Sequence, residues 1–374
     1  TLLPGPEAQQ LATYIGWLLH GVRGGLMAGL LFVLPGAFIV LALSMLYVTA
    51  RGVPVVDGIF FGIKAAVLVI VVQAVIKMSK RVGDSPALKA VIAGSFLAIL
   101  LFKVPYPLIV VAAAACGALL LPAATDPEPV PAPAPGRFAA LAVNTAVWGG
   151  LWWAPVIVAA VLFGPSHILT QIGLFFSQLA VVTFGGAYAL LVWLAQAAVE
   201  QKGWVTAAEM ADGLGLAETK PGPTILVTQF VGFLAAWRMP EPFSPMLAAV
   251  LGATMTTWVT FAPSFLFIFA GAPFVEDLRH NRLLAGTLKG ITAAVVGVIL
   301  YLAIWFALHV FFGRVGSLSL GPLSLPTFDP WALDWKAAAL AATAFFLAFQ
   351  VKLGLLPLIG TMAALGVVVK LGLG

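Results

Sequence analysis

The chain has 374 residues, 62% of them apolar and 9% charged, with a mean hydropathy of +1.08. Soluble domains carry roughly 45–50% apolar and about 25% charged residues, so a soluble fold is excluded. The long unbroken apolar runs exclude a β-barrel, whose strands alternate apolar and polar side chains. The formal net charge of +5 reports membrane orientation rather than a polyanion, and no nucleic-acid partner is expected.

In chain order, Glu7–Leu19 is a short stretch behind Pro4-Gly5-Pro6, and Gly24–Ala50 is a long apolar run with Pro35 near its middle. Asp57–Ile76 follows, then the basic loop from Lys77 to Arg81. Ala87–Leu101 and Pro105–Leu121 fall short of the roughly 20 residues of a full span. Residues 122–137 are Pro-rich and read as an extended, solvated linker. Beyond it come Phe138–Phe163, Leu169–Val199, a polar stretch from Glu200 to Lys220, Pro221-Gly222-Pro223, Thr224–Trp237, Phe243–Phe274, Leu283–Phe312, Trp331–Gln350 and Leu353–Val369. The expectation is an all-α polytopic membrane protein with about 12 membrane segments. Trp17, Trp204, Trp237 and Trp331 stand near helix ends, as interface anchors do. Cys116 is the one cysteine, no metal-ligand spacing or Walker loop is present, and neither cofactor, metal nor catalysis is expected. The few titratable residues within the runs offer no acid–base pair.

The chain repeats itself. Pro4-Gly5-Pro6 recurs as Pro221-Gly222-Pro223, each followed by glutamine (Gln9 and Gln10; Gln229) and then by Ile15-Gly16-Trp17 or Val231-Gly232-Phe233. One spacing relates Pro35 to Pro263 and Gly62-Ile-Lys-Ala-Ala-Val67 to Gly290-Ile-Thr-Ala-Ala-Val295. Residues 1–121 form a first repeat, 122–137 the linker, 138–167 a connecting helix and 168–374 a second repeat. The stretch from Leu169 to Lys220 has no counterpart before the first Pro-Gly-Pro, so the sequence reads as lacking about 50 N-terminal residues of an intact protein with about 13 segments. Positive charge follows the first Asp57–Ile76 helix (Lys77, Lys80, Arg81, Lys89) but precedes its counterpart (Arg279, Arg282). A bias that changes sides is the mark of inverted-topology repeats.

Pro-Gly-Pro cannot continue a helix, but it opens one well. Glu7–Leu19 extends about 20 Å against a hydrocarbon core of roughly 30 Å, so its first turn is placed at membrane depth. There the unpaired N–H groups of a helix N-terminus attract an anion, and two such termini would converge near the midplane. The expected substrate contacts are Gly5, Pro6, Glu7, Gln9 and Gln10 in the first repeat and Thr219, Lys220, Gly222, Pro223, Thr224 and Gln229 in the second. Lys64, roughly 10 Å inside its helix, reads either as a counter-charge for the anion or as a snorkelling lysine. Glu7 caps its helix, pairs with Lys64 or carries a proton. Gly185 and Gly186, in Phe184-Gly185-Gly186, interrupt an apolar run, either for close helix packing or as a break beside the substrate.

The stretches LLPGPEAQQLATYIGWLLHG (2–21) and GGLMAGLLFVLPG (24–36), with TFGGAYALLVWLAQAAVEQKGW (183–204) and DGLGLAETKPGPTILVTQFVGF (212–233), resemble the two halves of the long-chain chromate ion transporters. The family's Phe-Gly-Gly and Pro-Gly-Pro signatures map onto Phe184–Gly186, Pro4–Pro6 and Pro221–Pro223. Lys220 stands where a threonine is expected. The resemblance implies secondary export of chromate across the bacterial inner membrane, with sulfate, a similar tetrahedral dianion, as competitor. A transporter of sulfate or another oxyanion, or an anion channel of the same architecture, is the alternative, and a homodimer is a further expectation.

Overall fold

The computed structural model describes residues 5–120, 137–183, 187–219, 222–271, 274 and 281–372. The linker, Gly185, Gly186, Lys220, Pro221 and Arg279 lie outside them.

The described backbone is almost entirely helical: α1 (Glu7–Thr49), α2 (Pro54–Val82), α3 (Pro86–Phe102), α4 (Tyr106–Leu120), α5 (Arg137–Phe163), α6 (Ile168–Val182), α7 (Ala187–Ala195), α8 (Ala207–Glu218), α9 (Val227–Arg238), α10 (Pro245–Gly271), α11 (Arg282–Phe311), α12 (Trp335–Phe349) and α13 (Leu355–Gly372). Six helices among the described residues are long and apolar enough to cross a membrane, and several shorter apolar helices accompany them. The protein is an all-α polytopic membrane protein. Helix starts follow local chemistry. Pro54 and Pro86 sit in first turns, where the missing N–H costs nothing. Asp334 caps α12 by accepting from the N–H groups of Lys336 and Ala337 at 3.0 Å.

The chain divides into two compact units, each drawing on both sides of the linker. Unit 1 takes residues 1–41, 110–190 and 221–292; unit 2 takes 42–109, 191–220 and 293–374.

In unit 1, α1 bends sharply at His20 and Gly21, the latter at φ +61°. Its first arm folds back on its second: a Cβ on Gly16 would strike the carbonyl oxygen of Gly24, and one on Gly24 that of Gly16. The segment Glu7–Leu19 is therefore the short arm of a helical hairpin. A second hairpin joins α9 to α10, where a Cβ on Gly232 would meet Thr256 and the carbonyl of Gly252. Gly16 and Gly232 hold matching places in the two repeated motifs, and Gly24 and Gly252 are related by the spacing of Pro35 and Pro263. Helix α10 also packs against α5 and α6.

In unit 2, α2 lies along α13. Gly58 and Gly62, one turn apart, face Val367 and the carbonyl of Met362, while Gly366 faces Gly58 and Gly62 in return. Small residues at this spacing let two helix backbones touch. Helix α8 packs on the same α2, with Gly215 over Ile63 and Val67.

Several expectations are corrected. Leu169–Val199 is two helices: α6 ends at Val182 and α7 begins at Ala187. The polar stretch Glu200–Lys220 contains α8, buried from Glu209 to Glu218 and opened by a capping box between Thr206 and Glu209. Trp204 is fully buried beneath the Lys202 ammonium, 4.9 Å from its ring centre, rather than at an interface. Residues after Arg314 form a small antiparallel hairpin, β1 (Val315–Leu320) with β2 (Leu323–Phe328). Gly321 at φ +62° supplies the positive dihedral its two-residue turn demands.

Gly62→Leu is expected to force α2 off α13 and cost about 3 kcal/mol, the upper range for overpacking. Gly360→Leu, on the same α13 but with nothing within 4 Å, is expected to leave thermal unfolding in detergent unchanged.

Candidate functional site

Two polar centres stand out, one in each unit. In unit 1 both Pro-Gly-Pro glycines adopt left-handed backbone, Gly5 at φ +115° and Gly222 at φ +105°. Only glycine takes such angles without strain. The Gly5 N–H donates to the carbonyl of Thr183 at 2.8 Å, immediately after α6 ends. The start of α1 is thus tied to the end of α6; Phe184, Gly185 and Gly186 lie outside the described residues. A Cβ on Gly5 would fall 2.8 Å from Gln10 Nε2 and 3.4 Å from Ser264 Oγ.

From Gly5 the short arm of α1 opens. Pro6 accepts from the Gln10 N–H at 3.0 Å, and Glu7, half-buried, lies in the first turn. The second motif is similar in form: Pro223 accepts from the Leu226 N–H at 3.1 Å, and Thr224 starts a single 3-10 turn that runs into α9. Gly222 is exposed, and Pro223 and Thr224 are half-buried.

Each short helix is bonded to the middle of a long one. Gln9 Nε2 lies 3.5 Å from the carbonyl of Phe261 on α10, and Gln229 Nε2 donates to the carbonyl of Ala37 on α1 at 3.1 Å. Phe261 and Ala37 lie near the centres of long apolar helices. The half-helices therefore begin at mid-depth of those helices, as their length requires.

Five polar side-chain atoms of unit 1 are buried without a hydrogen-bond partner: Gln9 Oε1, Thr13 Oγ1, Gln229 Oε1, Thr260 Oγ1 and Ser264 Oγ. Gln9 and Thr13 are one turn apart on α1; Thr260 and Ser264 are one turn apart on α10 and bracket Pro263. An unsatisfied buried polar group costs about 1–3 kcal/mol, so five of them in one unit call for an explanation. An adjoining cavity of about 340 Å³ has Gln9 and Gln229 in its wall among mainly apolar neighbours such as Leu30, Val33, Trp148 and Phe265. No charged side chain among the described residues lines it. Among the described residues the centre can offer hydroxyls and amides to an oxyanion.

Sequence reasoning missed Thr13, Thr260 and Ser264. The available signal was a hydroxyl within an apolar run, strongest where Thr260 and Ser264 straddle a helix proline.

Lys64 and Thr219 belong to unit 2. The Thr219 hydroxyl donates to the Leu216 carbonyl of its own helix at 2.8 Å. Lys64 is neither free nor snorkelling. Its Nζ lies 3.1 Å from Asp212 Oδ1 on α8, and the Tyr47 hydroxyl donates to Asp212 Oδ2 at 2.9 Å. Beside them Arg51 pairs with the fully buried Glu209 and stands 5.5 Å over the Tyr47 ring. Asp212 stands in the polar stretch from Glu200 to Lys220, where Thr206-x-x-Glu209 is the sequence sign of a helix. Asp212 lies outside the apolar spans, and burial pushes its carboxyl above the usual carboxylate range, against the pull of Lys64 and Tyr47.

Fold and site together define a polytopic helical membrane protein with discontinuous helices around a buried polar centre. The chain belongs to the chromate transporter family, whose model matches residues 1–118 and 170–367. It is 32% identical to the chromate transport protein of Pseudomonas aeruginosa, over 90% of this chain and 76% of that one. It is 29% identical to the probable chromate transport protein of Synechococcus elongatus, over 79% and 69%, and 23% identical to an uncharacterized transporter of Methanocaldococcus jannaschii, over 83% and 73%. No solved structure matches it.

Removing one partner of a buried ion pair costs about 3–5 kcal/mol because a charge is left unpaired. With Lys64 partly exposed, Lys64→Ala is expected to cost about 3 kcal/mol, the lower end of that range. The double variant Lys64→Met/Asp212→Leu is expected to regain most of it, measured as thermal unfolding of the purified protein.

Proposed function

We propose that this protein exports chromate across the bacterial inner membrane as a secondary transporter. The oxyanion is held where the two half-helices begin, among Gly5, Gln9, Gln10, Thr13, Gly222, Thr224, Gln229, Thr260 and Ser264. Pro6 and Pro223 fix the breaks, and Glu7 orients the first turn. The observation that carries this reading is the set of three buried, unpartnered hydroxyls, Thr13, Thr260 and Ser264, together with the left-handed glycines Gly5 and Gly222 that open the two short helices. Helix N-termini stabilise negative charge, and hydroxyls donate short hydrogen bonds to oxyanions. Family membership and the names of the relatives support chromate as the substrate. The two stretches matched by the family model and the matching glycine contacts of the two hairpins support a repeat; the alternating loop charges support its inversion.

A neutral donor set recognises the tetrahedral dianion rather than its central atom, so sulfate is the natural competitor. Lys64 and Thr219 have no place among the ligands in this reading, since the lysine is paired with Asp212 and the threonine with its own helix. An inside-negative potential of 100 mV favours leaving of a dianion by about 4.6 kcal/mol, enough to drive export.

Radiolabelled chromate and sulfate flux in proteoliposomes, with the potential imposed separately from ion gradients, tests the reading. Gly5→Pro and Gly222→Pro, which forbid the left-handed backbone at the two breaks, are expected to abolish flux. Ser264→Ala and Thr260→Val are each expected to weaken chromate affinity by roughly tenfold, the loss of one hydrogen bond to a charged group. Normal flux in all four variants would overturn the site.

A further inference from the structure

The charge cluster of unit 2 is centred on Asp212. Asp212 is almost fully buried, and every element packed around it presents a titratable or charged group. Lys64 and Asp57 come from α2, Tyr47 from α1, Arg51 from the turn after it, Glu209 from α8 itself and Lys370 from α13. Tyr47, Arg51, Asp57, Lys64, Asp212 and Lys370 together border a cavity of about 240 Å³.

Lys64 also borders a second cavity, of about 230 Å³, whose wall carries His309 and Asp334. His309 in turn borders a third, of about 240 Å³, with Glu200 and Lys103. The three cavities of unit 2 thus follow one another through shared titratable side chains: Lys64 joins the first to the second, and His309 the second to the third. Chains of acidic and histidine side chains inside membrane proteins are the usual means of moving protons.

The pair itself gives the link its force. While Asp212 is ionised, Lys64 cannot turn from it into the second cavity without leaving a buried carboxylate unpaired. With a proton on Asp212 that penalty vanishes, and the flexible four-carbon stem of Lys64 is free to turn. The position of the lysine and the protonation of the aspartate are therefore one variable. A proton is the ion that a single carboxylate facing a movable lysine can exchange.

We propose that Asp212 is the proton-carrying group that couples transport to a pH gradient, with Lys64 as its internal competitor. One proton passes from water on one side of the membrane to an Asp212 carboxylate oxygen as Lys64 leaves. It passes from that oxygen to water on the other side as Lys64 returns. This rests on the transport reading above and adds its driving ion.

The test uses the full chain in liposomes containing a pH-sensitive dye. It measures exchange of radiolabelled chromate at equal concentrations and chromate accumulation driven by a pH gradient of either orientation at zero potential. The wild type is expected to do both, with a proton signal accompanying accumulation. Asp212→Asn is expected to retain exchange, to lose accumulation by at least about tenfold (about 1.4 kcal/mol of coupling) and to lose the proton signal. Asp212→Glu is expected to restore both. The neutral pair Lys64→Gln/Asp212→Asn carries the same expectation as Asp212→Asn and guards against a misfolded single variant. Accumulation unchanged in either asparagine variant overturns the proposal. So does loss of exchange in folded protein, which would make Asp212 a structural or substrate group. Absence of chromate exchange in the wild type would instead overturn the transport reading itself.

Discussion

In a hydrocarbon medium every backbone N–H and C=O must find a partner inside the protein. A helix that stops halfway across the membrane therefore has to be answered by another group at the same depth. In unit 1 the answer is a single hydrogen bond. The N–H of Gly5, at the start of one helix, meets the carbonyl of Thr183, at the end of another. A donor at a helix start and an acceptor at a helix end satisfy each other, and glycine at φ +115° is what allows the chain to turn into the bond. The hairpin of α1, the break after α6 and the buried hydroxyls of α10 all meet at this contact.

The second constraint is closeness. Lipid tails are as apolar as leucine, so helices in a bilayer gain little from burying apolar side chains against one another, and packing has to supply the attraction. Both units meet this by removing side chains where helices cross. In unit 1 Gly16 meets Gly24, Gly232 meets Gly252 and Gly117 meets Gly290; in unit 2 Gly58 and Gly62 meet Gly366. These glycines do not need unusual dihedrals, since all lie within helices. They are required because any Cβ would occupy a neighbour's backbone.

Class and breaks were legible in the sequence because each has a local cause. Apolar run length dictates helices, and Pro-Gly-Pro dictates where two of them begin. Self-similarity brought the paired motifs into view before any contact was known. What stayed hidden depends on packing. Thr13, Thr260 and Ser264 look like tolerated hydroxyls until their lack of partners is seen. The partner of Lys64 lies far along the chain in a stretch whose composition resembles a loop, though α8 buries it. The β-hairpin after Arg314 carries the alternating pattern Leu318, Leu320, Leu323, Leu325, but two strands of six residues are a small signal among so many apolar runs.

The glutamine contacts carry a consequence of their own. In the arrangement described, the amide nitrogens of Gln9 and Gln229 face the Phe261 and Ala37 carbonyls, which leaves their oxygens turned inward. In the proposed reading an oxyanion is repelled by those oxygens and attracted to the nitrogens. Each amide nitrogen carries two N–H donors, of which the helix carbonyl takes one. The two amides that fasten the hairpins are then also the groups that must reorient to meet the cargo.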